Sequence, residues 1–290
     1  MIQPQKNISI AQYTNYKIGG VARDVYFPKN TMELYETFVA IRKANTPFYI
    51  LGGGSNVLVG DGYWDGAVII TTGMNPYKTF GDCIMCGAGL ETSRVAEIAL
   101  ENGKTGLEFL YLLPGSIGGA LAMNARYDMI NISDVLIDFT AVHPEKGIKI
   151  FNKDEAGFAY KINSVAADGW YITEMSLRWE NGNIETIRNR MDSIREKRDQ
   201  GGHFEFPSCG CIFKNDYERN IQVGRLLDEM GFKGYTHGGS QVSNNHANFI
   251  NNMNNATARD VLSIIEHIEH EVKTQKGIEL QREVRLLGTF

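Results

Sequence analysis

The chain has 290 residues, of which 43% are hydrophobic and 22% charged, with a formal net charge of -5 at pH 7. That length allows two domains and a sizeable core. The acidic balance excludes a global pull toward nucleic acid or anionic membrane, so an anionic ligand needs local donors. Met1 to Lys17 holds no apolar run suited to a signal-peptide core, and no apolar stretch of membrane-spanning length occurs. A cytoplasmic enzyme with no membrane insertion is the expectation. The cysteines Cys83, Cys86, Cys209 and Cys211 do not form matched zinc-binding pairs, because Cys83 and Cys86 fall on opposite faces of a strand. Small core thiols and no metal are expected there.

Residues 14–20 read as a turn, and Val21 to Phe27 alternates as a strand that stops at Pro28. Asn30 or Thr31 caps a helix with Leu34, Phe38 and Ile41 on one face. Phe48 to Leu51 is a short strand leading into Gly52, Gly53, Gly54, Ser55 and Asn56. Glycines after a strand let backbone N–H groups turn toward an anion, although a plain tight turn has the same composition. No Gly-Lys-Ser/Thr follows, so this is not a Walker loop.

Ala67 to Thr71 and Cys83 to Cys86 read as strands, and Leu90 to Asn102 as a helix ending at Gly103. Ser116 is placed to cap a helix beginning at Ile117, with Gly115, Gly118 and Gly119 around it. Such a helix start suits a diphosphate, or else tight packing through small residues. Asp134 to Val142 and Gly147 to Phe151 form a predicted hairpin, and Tyr171 to Trp179 a further strand. Tyr160 and Lys161 between them read as a surface pair. Ile184, Ile187, Met191 and Ile194 mark a helix whose charged end, Arg195 to Asp199, reads as a solvated face. Gly201 and Gly202 are the expected hinge.

Beyond the hinge, Pro207 to Asn215 gathers two thiols, a hydroxyl, an ammonium and an amide, and the other polar stretches read as serving it. Val223, Leu226 and Leu227 mark a short helix, and Gly238 to Phe249 a polar loop entering a strand. Asn251 to Asn255 reads as a turn. Thr257 caps a helix striped with Val261, Ile264, Ile265, Ile268 and Val272. Ile278 to Leu287 is the closing strand and carries Glu283. His246 reads as a loop or core histidine, and His203 and His237 have no partner spacing that argues for metal.

These stretches together resemble the UDP-N-acetylenolpyruvoylglucosamine reductase family. The ordered set is Asn15 to Gly20, Gly52 to Asn56, Gly106 to Phe109, Pro114 to Ala120, Met123-Asn124, Phe158 to Tyr160, Gly210 to Asn215, Gln241 to Ser243, His246-Ala247, Asn255 to Thr257 and Glu283 to Arg285. The resemblance implies an α+β chain: a FAD-binding domain of the vanillyl-alcohol-oxidase (PCMH) type, then a smaller α/β substrate domain. The implied division is 1–182, with subdomains at about 1–65 and 66–182, a connecting helix at 183–200, and a substrate domain at 201–290. It implies non-covalent FAD, held by Gly52, Gly53, Gly54, Ser55, Asn56, Gly115, Ser116, Gly118, Gly119 and Asn124. It also implies NADPH as donor and a UDP-sugar enolpyruvyl ether as substrate, contacted by Tyr160, Lys214, Asn215, Gln241 and His246. A hydride would pass from flavin N5 to the enol ether, followed by protonation of the product carbon.

The implied catalytic residues are Lys161, Cys211 and Glu283. Cys211 stands where the family has the proton-donating serine. A thiol, with a pKa of about 8.5, is a stronger acid than an alcohol. Lys161 stands where the family has an arginine, keeping the charge but not the two-pronged geometry. Arg126, after the Asn124 loop, is either a drifted surface arginine or supplies part of that guanidinium function. The other readings are a different FAD-linked oxidase or dehydrogenase of the same superfamily, and a flavin-binding relative without catalysis.

Overall fold

The computed structural model describes residues 2–290. Helices form where capping and periodicity place them. Asn30 accepts from the N–H of Glu33 and opens the helix Thr31–Lys43, which buries Leu34, Phe38 and Ile41. Ser116 caps Ile117–Ala122. The predicted helix at 90–102 is regular over Thr92–Glu101.

The chain divides into two compact units. The first comprises residues 2–6, 24–53 and 66–196. Its main sheet has the strand order Gly147–Asn152, Leu136–His143, Tyr171–Arg178, Cys83–Gly87, Tyr77–Thr79, with every pair antiparallel. The helices Thr92–Glu101 and Ile117–Ala122 contribute to its main core beside Ile84, Phe139, Met175 and Leu177. A second core joins the helix Thr31–Lys43 to Ala67, Ile69 and Val142. There Phe48–Leu51 pairs in parallel with Ala67 to Ile70.

The second unit comprises residues 7–23, 54–65 and 197–290. The helix Ala258–Lys276 packs its predicted stripe into a core shared with Val223, Leu227, Val242 and Ile250. Beside it lies a three-stranded antiparallel sheet in the order Thr236–His237, Ser240–Val242, Ile250–Asn252.

The two compact units interleave along the chain. Residues 7–23 and 54–65 belong with the C-terminal residues because Tyr16, Ile18 and Leu58 are buried in that core. The Tyr16 hydroxyl donates to the carbonyl of Ile250 at 2.8 Å, and the Asn252 side chain donates to the carbonyl of Tyr16 at 2.9 Å. Val57–Val59 pairs in parallel with Arg285–Leu287.

Three local expectations change. The closing strand is regular only at Arg285–Leu287. Upstream, the N–H of Glu283 bonds the Ile212 carbonyl as part of the isolated antiparallel bridge between Phe213 and Arg282. Asn251 and Asn252 lie in a strand rather than a turn. The charged end of the helix Ile184–Gln200 is not simply solvated: Arg198 is buried, and Arg195 donates to the Tyr111 hydroxyl. No helix among the described residues is long and apolar enough to cross a membrane.

The start of Ala258–Lys276 is heavily satisfied. Thr257 Oγ1 accepts from the N–H of Asp260 at 3.1 Å, and Asp260 accepts back from the N–H of Thr257 at 2.9 Å. Asp61 accepts from the N–H groups of Ala258 and Arg259. Thr257→Ala is expected to cost about 1 kcal/mol. The thermal midpoint should fall by roughly 2–4 °C, read by circular dichroism. An unchanged midpoint would mean that the carboxylates suffice.

Candidate active site

In the first unit the two glycine-bearing loops meet. The N–H of Gly53 donates to Ser116 Oγ at 3.2 Å, and the same oxygen accepts from the N–H of Gly119 at 3.4 Å. A Cβ on Gly52 would lie 2.6 Å from Ser116 Oγ, and one on Gly53 only 2.5 Å from Gly115 Cα. A Cβ on Gly118 would lie 2.5 Å from that of Ala88. Glycine is therefore required at 53 and 118 by packing alone. At Gly119 a Cβ would meet only Ser116 Oγ, at 3.4 Å, so that face is open.

Tyr160 and Lys161 form the two-residue turn of a small hairpin, in which Phe158 pairs with Asn163 and Ala159 with Ile162. Lys161 has φ 58, the left-handed region that such turns use. Two buried asparagines anchor the hairpin. Asn124 Nδ2 donates to the carbonyl of Ala159 at 3.0 Å while its Oδ1 accepts from the N–H of Ser133 at 3.4 Å. Asn163 Nδ2 donates to the carbonyl of Leu121 at 3.3 Å. The Asn124 side chain is thus engaged within the protein. Arg126 donates to the Met129 sulfur in the adjoining turn.

In the second unit, Gly54 has φ +64, and a Cβ there would lie 2.0 Å from the carbonyl oxygen of Tyr13. Ser55 is half-buried. Asn56 Nδ2 donates to the carbonyl of Glu283 at 3.1 Å, whereas its buried Oδ1 has no hydrogen-bond partner among the described residues.

Cys211 follows Gly210, whose φ is +78, and pairs through an isolated antiparallel bridge with Phe249. The N–H of Glu283 donates to the carbonyl of Ile212 at 2.7 Å, which puts the two candidate catalytic groups on neighbouring stretches. Buried beneath them, Cys209 is pushed up to about 12, first by burial, with the charges of Cys211 and Glu283 adding to it. Burial raises Tyr16 as well, and its hydroxyl pairs with the Cys209 thiol. Neither Tyr16 nor Asn248, which braces this segment, stood out in the sequence.

The expected substrate contacts are distributed as follows. The N–H of Lys214 donates to the carbonyl of Gln281 at 2.8 Å, and its side chain is half-exposed. Asn215 Oδ1 accepts from the N–H of Val223 at 2.9 Å, at the start of the helix Val223–Glu229. Gln241 Nε2 donates to Thr236 Oγ1 at 3.0 Å. The His246 ring lies 4.6 Å from that of Phe249, and burial lowers its pKa. Among the described residues, no cluster of three or more His, Cys, Asp or Glu side chains is placed to hold a metal.

Residues 22–148 match the model of an FAD binding domain. Residues 202–287 match the C-terminal domain of UDP-N-acetylenolpyruvoylglucosamine reductase. A reductase of that name from Borreliella burgdorferi is 37% identical over 99% of this chain and 95% of its own length. One from Clostridium perfringens is 33% identical over 96% of this chain and 91% of its own. The chain belongs to the UDP-N-acetylenolpyruvoylglucosamine reductase family. The crystal structure of the reductase from Thermus caldophilus superposes with a TM-score of 0.84 at 28% identity, covering 99% of this chain and all of that one.

As a member of this reductase family, the chain is an FAD-dependent oxidoreductase of α+β architecture. The FAD-binding match contains the Gly53–Ser116 junction, and the reductase C-terminal match contains Cys211 and Glu283. The residues present fit the cofactor. The junction brings backbone N–H groups together where side chains are excluded, with open space at Gly119.

Proposed function

We propose that this reductase converts UDP-N-acetylglucosamine enolpyruvate to UDP-N-acetylmuramate, a peptidoglycan precursor, with Cys211 as the proton donor. The observation that carries the residue assignment is the Ile212 carbonyl accepting from the Glu283 N–H, which ties thiol and carboxylate to adjacent main chain. Gly52, Gly53, Ser116, Gly118 and Gly119 would hold the diphosphate of FAD. Gly54, Ser55 and Gly115 shape the two glycine loops, and Asn124 holds the hairpin that carries Tyr160 and Lys161. When bound, FAD supplies two-electron chemistry, taking reducing equivalents from NADPH and returning them to the enolpyruvyl double bond.

The protein's own groups handle charge and protons. The Lys161 ammonium faces the substrate carboxylate and favours the electron-rich, enol-like form that develops during reduction. Cys211 Sγ–H protonates the carbon beside that carboxylate, and Glu283 supports this protonation. Tyr160, Lys214, Asn215, Gln241 and His246 contact the sugar nucleotide. NADPH and nucleotide sugars are cytoplasmic metabolites, which supports a cytoplasmic place.

The test is an anaerobic visible spectrum of the FAD-loaded protein. NADPH should bleach the flavin, and the enolpyruvyl sugar nucleotide should restore it. Bleaching without restoration would favour another acceptor and a different superfamily activity. Absence of both would favour a non-catalytic flavoprotein.

A further inference from the structure

Cys211 and Glu283 stand outside regular strands, yet a catalytic thiol must be held within a fraction of an ångström. The bonds that hold this region converge on Ile212 and Phe213. On one side, the Glu283 N–H donates to the Ile212 carbonyl at 2.7 Å, and the Lys214 N–H donates to the Gln281 carbonyl at 2.8 Å. The other side is supplied largely by one residue. The Asn248 carbonyl accepts from the Ile212 N–H at 2.9 Å. Its side-chain Oδ1 accepts from the Phe213 N–H at 2.9 Å, and its Nδ2 donates to the Phe213 carbonyl at 2.8 Å. Asn248 is 2% exposed, so no water competes for these bonds.

The side chain of Asn248 therefore substitutes for a strand neighbour, meeting both main-chain groups of Phe213 at once. We propose that Asn248 is the positioning residue for the proton donor. By clamping Phe213 it fixes the Cys211 main chain against the stretch that carries Glu283. This inference rests on the assignment of Cys211 as proton donor. Both polar atoms of the Asn248 side chain are spent on Phe213, so its removal should lower kcat for the sugar-nucleotide half-reaction far more than it changes KM.

Two variants test it. Asn248→Ala removes both side-chain bonds. Asn248→Asp keeps the shape, and its protonated carboxyl can donate to the Phe213 carbonyl while accepting from its N–H. The ionised carboxylate cannot donate. Burial raises the pKa of such a carboxyl, so the switch between the two forms falls within a workable pH range. The titratable neighbour in direct contact is His246, whose Nδ1 accepts from the Asn248 N–H at 3.2 Å. Burial lowers its pKa, so it stays neutral near pH 7. Arg282, across the segment, is paired with Glu269, and Cys211 and Glu283 are common to all variants.

Flavin reoxidation by the enolpyruvyl sugar nucleotide is measured against pH and expressed as a ratio to the unaltered enzyme. Asn248→Ala is expected to be slower by about 100-fold throughout, the loss typical of a misplaced reacting group. Asn248→Asp should approach the unaltered enzyme at acid pH and fall away as its carboxyl ionises. Reduction by NADPH should be unchanged in both. Iodoacetamide labelling of Cys211, followed by mass spectrometry without substrate, should be several-fold faster in Asn248→Ala. Reoxidation within about twofold of the unaltered enzyme in folded, flavin-loaded Asn248→Ala would overturn the proposal. Should that variant fail to fold, a pH-independent ratio for Asn248→Asp overturns it instead. If the sugar nucleotide does not reoxidise the unaltered enzyme, the Cys211 assignment fails first and the clamp falls with it.

Discussion

Cys211→Ala is expected to slow reoxidation of the reduced flavin by the enolpyruvyl sugar nucleotide by roughly 100- to 10,000-fold, the range lost with a positioned general acid. Reduction by NADPH should be unaffected, because the proposed proton transfer from Cys211 belongs to the sugar-nucleotide half-reaction. The main chain at 211 is held through its neighbours: Ile212 bonds Asn248 and Glu283, and Phe213 bonds Asn248. The alanine variant should therefore fold and load FAD. Cys211→Ser should retain much of the activity, because a hydroxyl at the same place can also donate a proton. Stopped-flow absorbance of the two half-reactions separates these outcomes. An alanine variant that reoxidises at the original rate would remove Cys211 from the mechanism.

Thiol labelling offers an independent handle. Cys209 and Cys86 are buried, and burial pushes each up to about 12, so both should resist alkylation near neutral pH. Cys83 is raised by burial and by the nearby Asp82 carboxylate. Cys83 and Cys211 are both half-buried, so mass spectrometry should follow the labelling at Cys211. Its alkylation should block reoxidation while sparing reduction.

Gly53→Ala should have the second large effect, on cofactor retention and on stability together. The added Cβ would lie 2.5 Å from Gly115 Cα and 2.7 Å from Ser116 N, both main-chain atoms that no rotamer change can move aside. Forcing the loops apart also breaks the Gly53 N–H to Ser116 Oγ bond. Overpacking of this kind costs about 1–3 kcal/mol. Each kilocalorie lowers the thermal midpoint by roughly 2–4 °C, and FAD should be lost on purification. Gly119→Ala is the control. Its Cβ would meet only Ser116 Oγ at 3.4 Å, so the apoprotein should melt where the unaltered one does. If the open face at Gly119 receives the diphosphate, FAD affinity should still fall. A Gly53→Ala protein that melts normally and retains flavin would show that the junction is not the rigid contact described.

Sequence by itself determined those features whose causes lie within a few residues. The caps Asn30, Ser116 and Thr257, the stripe of Ala258–Lys276 and the alternation of Tyr171–Arg178 are set by i to i+4 geometry or strand pleat, so residue type reveals them. The glycine loops were legible for the same reason, since close backbone approach tolerates little else. Tertiary structure alone decided which distant backbones share bonds. Nothing in the residue types of Tyr16 or Leu58 assigns them to the C-terminal core, and nothing in the run Asn244 to Asn248 marks its last asparagine as the clamp on Phe213. The burial of Arg198 beneath a charged helix end was equally hidden. The physical reason is that main-chain N–H and C=O groups are the same at nearly every residue, so long-range backbone pairing leaves no composition signature. It becomes visible only once the chain has brought the partners together.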